Sequence, residues 1–345
     1  MRNSNPKNII LNTFENYEPL LRFRRGDDFK EWQKTARIKL IELLGLDCMD
    51  KCDLDFMKEE ITEFSDFTQI RFSFQSETGY YVPAYIWLPG KANAKLRPMI
   101  CLQGHSKGMH ISLGQAKYDG DDQTISGGDR DFAVSALRNG YCPIVMEQRY
   151  MGECGGDEKG PGCCAHGRGN TASAMPSLLL GRCAIGERVW DVSRLIDVIQ
   201  QYFPQLDSTD ISCMGNSGGG TATFYAACID ERIKTAMPSC SVCTYLDSIV
   251  NLHHCNCNYI PGIARYFDMG DLGGLIAPRK LVIVAGLQDE IFPIDGVKKS
   301  YDLIKALYAE CGCRKNLELV TGNGGHRFYA DAAYETLKEL EKNEG

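Results

Sequence analysis

The chain has 345 residues, 43% of them hydrophobic and 24% charged, an ordinary composition for a globular protein with a large core. Its net charge of −7 argues against a nucleic-acid partner, because such proteins present a basic patch to the phosphates. No apolar run approaches the roughly 18 residues that span a bilayer. The first residues carry neither a long apolar region nor a small-residue cleavage site. We therefore expect a cytoplasmic protein with no membrane partner.

Residues 1–65 are predicted to form a helical extension packed on the main domain. Within residues 27–47 the apolar side chains recur at helical spacing, and Gly45 is a plausible C-cap. The recurring positions are Trp32, Ile38, Leu40, Ile41 and Leu44. Residues 67–90 then alternate apolar and polar side chains on either side of Glu77-Thr78-Gly79. This alternation predicts a β-hairpin.

After the hairpin, short apolar strands alternate with helical segments. Strands are predicted within residues 97–104, 141–147, 210–215, 233–239, 279–286 and 316–322, and helices within 129–140, 188–203, 221–231, 297–310 and 329–342. The alternation predicts the α/β class: one domain over residues 66–345, with a mostly parallel twisted sheet, helices on both faces and the antiparallel hairpin at its N-terminal end. The stretches 104–129, 151–181 and 240–278 are lid or insert candidates, since such long connections tend to be functional.

One serine stands among glycines between a predicted strand and a predicted helix. Gly215-Asn216-Ser217-Gly218-Gly219 fits the pattern G-x-S-x-G of a nucleophile elbow. In that turn a strained backbone lifts the hydroxyl above the sheet edge, and glycine avoids collisions beside it. The helix that follows aims its first N–H groups at the same place. We therefore predict Ser217 as a nucleophile; the alternative is a glycine-rich turn with an incidental serine.

A serine nucleophile needs a base that is itself oriented by an acid. In this type of sheet the partners follow later strands in the order serine, acid, histidine. Asp289 and Glu290 come after residues 279–286, and we prefer Asp289 because it is the first acid past the strand. His326 comes after the last predicted strand. The alternatives are a surface ion pair for the acid and a structural hydrogen bond for the histidine.

An oxyanion hole requires two backbone N–H groups, one from the residue after the nucleophile and one from the loop after an earlier strand. Gly218 supplies the first, and His105, just after Gly104 in "CLQGHSKGMH", is predicted to supply the second. For the side chain of His105 the alternatives are a contact with substrate and a structural hydrogen bond.

With these residues placed, the chain resembles the α/β-hydrolase superfamily, and within it the acetyl xylan esterase-like and dienelactone hydrolase-like branch. The pieces that carry the likeness are "QGHSKG", "NGYCPIVMEQRYMGE", "LLLGRCAIGERVWDVSRLID", "GNSGGGTATFYAACIDERI", "GDLGGLIAPRKLVIVAGLQDEIFP" and "GGHRF". The resemblance implies a serine esterase with Ser217, Asp289 and His326 as its triad, no cofactor, and small ester substrates such as acetylated sugars. Arg149 matches a position that usually braces a loop in such hydrolases. Dienelactone hydrolases themselves have cysteine where Ser217 stands.

Two other functions occur on this type of sheet. A homo-oligomer is compatible with each of the three functions. A prolyl-oligopeptidase-like peptidase has the same triad order, but the 65 N-terminal residues are too few for the propeller that usually precedes it. A catalytically silent binding protein on the same fold would have lost part of the triad. Since all three triad residues are present, an ester hydrolase is favoured.

Sixteen cysteines are expected to be mostly reduced thiols that pack as small hydrophobic side chains. One segment is dense in thiols and imidazoles, and it contains Cys240, Cys243, His253, His254, Cys255 and Cys257. A zinc site or a redox dithiol is the alternative to packed lid thiols there, and we expect no metal. Cys163-Cys164 and Cys311-x-Cys313 indicate local packing.

Overall fold

The computed structural model describes residues 5–90, 95–155 and 174–342. In these residues the strands are Met57–Glu63 (β1), Phe67–Glu77 (β2), Tyr80–Pro89 (β3), Pro98–Leu102 (β4), Cys142–Met146 (β5), Ile211–Asn216 (β6), Ile233–Ser239 (β7), Lys280–Gly286 (β8) and Leu317–Gly322 (β9). They form one sheet in the order β1-β2-β3-β5-β4-β6-β7-β8-β9.

The α-helices of the described residues are Pro6–Asn16 (α1), Phe29–Leu44 (α2), Asp121–Ser126 (α3), Phe132–Arg138 (α4), Ala184–Tyr202 (α5), Gly218–Ile229 (α6), Met269–Gly273 (α7), Ile294–Glu310 (α8) and Ala330–Lys342 (α9). Every strand and helix predicted for residues 67–342 is present among them. None of these helices has the length and apolar character needed to cross a bilayer.

The sheet is antiparallel at one end and parallel over the rest. Strands β1, β2 and β3 pair antiparallel in sequence order, and β3 pairs antiparallel with β5. From β5 through β4, β6, β7, β8 to β9 all pairings are parallel. One hydrophobic core on one face of the sheet includes residues of α5, α6 and α8, and a second core includes residues of α4 and α9. The predicted α/β class, with helices on both faces, is confirmed.

The N-terminal residues differ from the predicted helical extension at one place. Residues 57–63 form strand β1, which pairs with β2 from Met57 opposite Ser73 to Glu63 opposite Thr68. Nearly every residue of β1 is exposed, so it has no buried face to give the alternation by which strands are recognised. The sheet therefore starts earlier in the chain than predicted.

Helix α2 docks the N-terminal segment onto the domain. Its buried residues Trp32, Ala36, Leu40 and Leu44 follow one another at intervals of four, and Gly45 ends the helix in the left-handed conformation. Ile38, which also fits the helical spacing, lies on the exposed side. The guanidinium of Arg37 donates to the carbonyl oxygens of Cys228 and Leu275, so α2 is fixed on α6 and the segment after α7.

Candidate active site

Ser217 lies between the end of β6 and the start of α6 with a backbone conformation of φ 57° and ψ −122°. A positive φ is uncommon for a residue with a side chain and costs of order 1–3 kcal/mol. The strain is held in place by neighbours: the N–H of Ser217 donates to the carbonyl oxygen of Ser239 at 2.9 Å, and Asn216 Nδ2 donates to Ser239 Oγ at 3.0 Å. The hydroxyl is therefore presented at the carboxyl end of the parallel strands.

The glycines of the elbow are required by close approach of backbone to backbone. A Cβ at Gly215 would lie 2.5 Å from the carbonyl carbon of Gly219. A Cβ at Gly219 would overlap the carbonyl oxygen of Leu102, at the end of the neighbouring strand β4. Glycine is therefore the residue that lets α6 start directly against the ends of β6 and β4.

Asp289 and His326 form a hydrogen-bonded pair. His326 Nδ1 lies 2.8 Å from Asp289 Oδ2, while Asp289 Oδ1 accepts the N–H groups of Ile291 at 2.8 Å and Phe292 at 3.1 Å. Burial alone would raise the pKa of Asp289, but the hydrogen bond and charge of His326 together with the two N–H groups hold that pKa below its ordinary value. Glu290, the other acid considered for this role, is exposed.

The second ring nitrogen of His326 is unused by the protein. Nε2 is buried and has no hydrogen-bond partner among the described residues. Since the ionised carboxylate accepts at Nδ1, the proton of a neutral ring belongs on Nδ1, and Nε2 is then a free acceptor. Phe292 stacks on the ring with the two centroids 6.0 Å apart.

The end of β7 ties the histidine loop to the nucleophile. Ser239 Oγ and Cys240 Sγ both donate to the carbonyl oxygen of Arg327, at 3.4 and 3.2 Å. Ser239 also accepts the N–H of Ser217. The three residues predicted as a triad, which follow β6, β8 and β9, are thus brought to one edge of the sheet.

The predicted oxyanion loop lies directly against the elbow. A Cβ at Gly104 would lie 2.8 Å from the carbonyl oxygen of Asn216 and 3.2 Å from Cβ of Ser217. Gly218 is the first residue of α6, so its N–H has no partner within the helix. In the described residues neither this N–H nor that of His105 donates a hydrogen bond to the protein. Both are available as donors.

The His105 side chain lies over the elbow and bonds to a thiol of the third insert. A Cβ at Gly218 would lie 2.8 Å from Cε1 and Nδ1 of His105. On the other side of the ring, Nε2 lies 3.1 Å from Cys257 Sγ. Two alternatives were open for this imidazole, a contact with substrate and a structural hydrogen bond, and the structure contains the hydrogen bond. Its partner, Cys257, lies 152 residues away in the chain.

Cys240 also lies at the site, which the sequence did not indicate. Its Sγ is grouped with the ligand atoms of Asp289 and His326, all within 4.8 Å of one another. Burial and the charge of Asp289 raise the pKa of Cys240 to about 12, so this thiol stays protonated and does not compete with Ser217 as a nucleophile.

The insert over residues 240–278 covers helix α6 and the loop that bears Asp289. Asn258 Oδ1 accepts from the hydroxyl of Thr221, one turn along α6, at 3.4 Å. Ser248 Oγ donates to the carbonyl oxygen of Ile291 at 2.6 Å and lies 3.0 Å from His254 Nε2. Burial lowers the pKa of His254 to about 4, so this imidazole is a neutral, structural one.

Of the other two inserts, residues 104–129 lie wholly among the described residues and residues 151–181 only in part. In 104–129, His110 and Asp121 are buried together with Nε2 and Oδ2 2.9 Å apart, which makes them a structural pair. Most of 151–181 lies outside the described residues, including Cys163, Cys164 and His166. Cys311 and Cys313, expected to be packed thiols, are instead joined as a disulfide.

Arg149 is buried among carboxylates of β2 and α5. Its Nε and Nη2 donate to the two oxygens of Asp191, each at 2.8 Å, and its Nη1 lies 2.5 Å from Glu77. The guanidinium also stacks over the ring of Tyr80, 4.2 Å from the centroid. Burial would lower the pKa of Arg149, but the charge and hydrogen bonds of Asp191 raise it above its ordinary value. The residue joins β2, β3 and α5.

The chain is similar in sequence to one curated protein. "Putative hydrolase YtaP" of Bacillus subtilis is 26% identical over 268 residues, which are 75% of this chain and 83% of that protein. No protein-family model matches the chain.

Solved structures show a wider likeness at low identity. A structure described as a "putative acetyl xylan esterase" from Bacteroides fragilis superposes with a TM-score of 0.80 and 14% identity, covering 98% of this chain and 96% of that one. A methylesterase gives a TM-score of 0.68 at 18% identity, covering 99% and 69%. A glucuronoyl esterase from Teredinibacter turnerae gives 0.67 at 15% identity, covering 96% and 90%. These likenesses establish that the chain has the α/β-hydrolase fold.

Proposed function

We propose that the chain is a serine ester hydrolase that removes short acyl groups, such as acetyl, from small esters, acetylated sugars among them. The observation that carries the proposal is the buried and unpartnered Nε2 of His326, oriented by Asp289, at the sheet edge where Ser217 is held in a strained turn. A free acceptor at the sheet edge that presents the hydroxyl is what a general base for a serine nucleophile requires. The esterase names of similar structures support the choice of an ester over an amide.

In the proposed reaction each of these groups has one role. The hydroxyl oxygen of Ser217 attacks the acyl carbon while His326 Nε2 takes the hydroxyl proton, and Asp289 stabilises the imidazolium through Nδ1. The N–H groups of Gly218 and His105 stabilise the negative oxygen of the tetrahedral intermediate. The bond to the alcohol then breaks, and the imidazolium protonates the alcohol as it leaves. Water repeats both steps on the acyl-enzyme, which frees the acid and restores Ser217.

The test is hydrolysis of a short-chain aryl acetate by the wild type and by Ser217→Ala. We expect the variant to lose several powers of ten in kcat. Ser208→Ala is the matched control, because Ser208 lies before the opposite end of strand β6. Labelling by a fluorophosphonate should likewise disappear in Ser217→Ala and persist in Ser208→Ala. Unchanged hydrolysis or labelling of Ser217→Ala would refute the proposal.

The acyl group and the alcohol are tested by a substrate panel. Acetylated sugars, aryl esters of increasing chain length and aminoacyl amides are compared by kcat/KM. We expect acetyl esters to exceed both longer esters and amides. Faster cleavage of the aminoacyl amides would indicate a peptidase instead, and a preference for long chains would contradict the short-acyl assignment while leaving ester hydrolysis intact.

A further inference from the structure

Three metal-ligating side chains converge where the insert meets the oxyanion loop. Their donor atoms, His105 Nε2, Cys255 Sγ and Cys257 Sγ, all lie within 4.8 Å of one another. Two of the separations are short: 3.1 Å from the imidazole nitrogen to Cys257 Sγ, and 3.2 Å between the two sulfur atoms. The histidine and the two cysteines come from parts of the chain more than a hundred residues apart. The predicted triad uses none of these three side chains.

We propose that these three side chains form a binding site for a thiophilic divalent cation, with Zn²⁺ as its preferred ion. One imidazole and two thiolates are ligands that Zn²⁺ prefers, and three protein ligands leave the fourth tetrahedral position for water. The two thiolate charges balance the charge of the ion.

The distances fit such a site after small movements. With Zn–S bonds of about 2.3 Å and Zn–N bonds of about 2.0 Å, tetrahedral geometry separates two sulfurs by about 3.8 Å and a nitrogen from a sulfur by about 3.5 Å. The observed short separations are each roughly half an ångström smaller. Cys255 is only partly buried, so its side chain has room to adjust.

A thiolate is the form of cysteine that binds a metal, so both thiols release their protons as the ion enters.

The bound ion would connect two structures that flank Ser217. His105 belongs to the predicted oxyanion loop, and its ring lies against Gly218. Cys255 and Cys257 belong to the insert, whose next residue, Asn258, contacts α6 through Thr221. The ion would thus hold the insert closed over the elbow. The inference concerns metal binding and goes beyond the proposed esterase activity.

The test is a zinc titration of the full chain, reduced with a phosphine and stripped of metal by a chelator. A competing chromophoric chelator reports the stoichiometry and the affinity. We expect one Zn²⁺ per chain. Loss of a residue that only hydrogen-bonds to a metal ligand weakens the affinity by about 10- to 100-fold, and we expect Cys257→Ser and His105→Ala to weaken it by more than that. Cys48→Ser, which removes an exposed thiol elsewhere, should bind like the wild type.

Two further measurements keep the result interpretable. The thermal midpoint of each metal-free variant is compared with that of the metal-free wild type, and Cys255→Ser replaces any variant that fails to fold. Co²⁺ substituted for Zn²⁺ should give thiolate-to-cobalt charge-transfer bands that the cysteine variants lose. Absence of binding by the reduced wild type, or equal binding by wild type and Cys257→Ser, would overturn the site. Loss of binding in Cys240→Ser with retention in Cys257→Ser would do so as well, since it would assign the ion to the cluster at His326.

Discussion

The carbonyl oxygen of Ser239 accepts the N–H of Ser217 at 2.9 Å, so the last residue of β7 holds the strained turn of the neighbouring strand's elbow. The hydroxyl of the same serine accepts from Asn216 and donates to the carbonyl oxygen of Arg327, the residue after His326. One residue of the rigid sheet therefore fixes both the candidate nucleophile and the loop of the candidate base. Sites supported in this way are held more accurately than sites built from loops alone.

Replacing Asp289 by asparagine should abolish most activity while preserving the shape of the site. An amide cannot stabilise the imidazolium, and it permits the wrong tautomer of His326, so kcat should fall by about 10³- to 10⁴-fold. The measurement is steady-state hydrolysis of an aryl acetate. Glu290→Gln is the control, because this neighbouring carboxylate is exposed and should keep nearly full activity. The reverse outcome would transfer the role to Glu290.

A methyl group at position 104 should damage the oxyanion loop specifically. In Gly104→Ala the new Cβ would meet the carbonyl oxygen of Asn216 at 2.8 Å, so the loop must move away from Ser217. Loss of one aligned oxyanion donor costs about 10²- to 10³-fold in kcat, and we expect a fall in that range with little change in KM. Gly90→Ala, whose Cβ would meet nothing closer than 3.9 Å, should behave as the wild type. Equal kcat values for the two variants would contradict the proximity of loop and elbow.

The buried carboxyl of Glu147 should make the protein less stable as pH rises. Burial raises its pKa from 4.5 to about 7, although the N–H groups of Met109 and Glu153 oppose the shift. Between these values the folded state holds a proton that the unfolded state has lost, so the free energy of unfolding falls with pH across this window. The full difference corresponds to about 3 kcal/mol.

Glu147→Gln removes the titration while keeping a group that can accept from both N–H donors. The difference in free energy of unfolding, variant minus wild type, should therefore increase by about 3 kcal/mol between acidic and mildly alkaline pH. Urea unfolding at about pH 5 and about pH 8 measures it, since these values lie on either side of most of the window. A difference that does not change with pH would show that Glu147 is not the titrating group.

Removing the guanidinium of Arg149 should destabilise the fold strongly. Arg149→Met leaves the buried carboxylate of Asp191 without its cation and that of Glu77 with one cation fewer, and breaking a buried pair in this way costs about 3–5 kcal/mol. Lys299→Met breaks the exposed pair with Asp247 and should cost about 1 kcal/mol or less. Urea unfolding of both variants checks the contrast; a similar small loss for each would contradict a structural role for Arg149.

Most of the fold could be predicted because periodicity reports buried faces. The parallel strands are continuous apolar segments and helices such as α5 have a 3.6-residue pattern, so both are recognised from the sequence. Helix α6 begins at Gly218, three residues before the predicted start. The predicted helix started too late because glycine has a poor helix propensity. Gly219 and Gly220 are nevertheless required, because a Cβ there would overlap the carbonyl oxygen of Leu102 and lie 2.5 Å from that of Ser239, respectively.

The candidate site could be predicted only for residues whose place follows from the order of the strands along the chain. Ser217, Asp289 and His326 each follow a predicted strand, so the sheet topology alone places them together. The contact between His105 and Cys257 and the position of Cys240 beside Asp289 have no such rule, because they depend on how an insert folds back over the sheet. The many cysteines and histidines of residues 240–257 indicated that this segment could carry a site, but they did not indicate its contact with His105.

Strand β1 carries a lysine and three glutamates among its seven residues, and nearly all of its surface is open to water. A second copy adding its own β1 edge to edge would bring these acidic side chains together and would have to strip water from them. Charged edges of this kind oppose the growth of a sheet from one molecule into the next. The exposed, charged edge of β1 therefore disfavours the pairing of two copies through this strand.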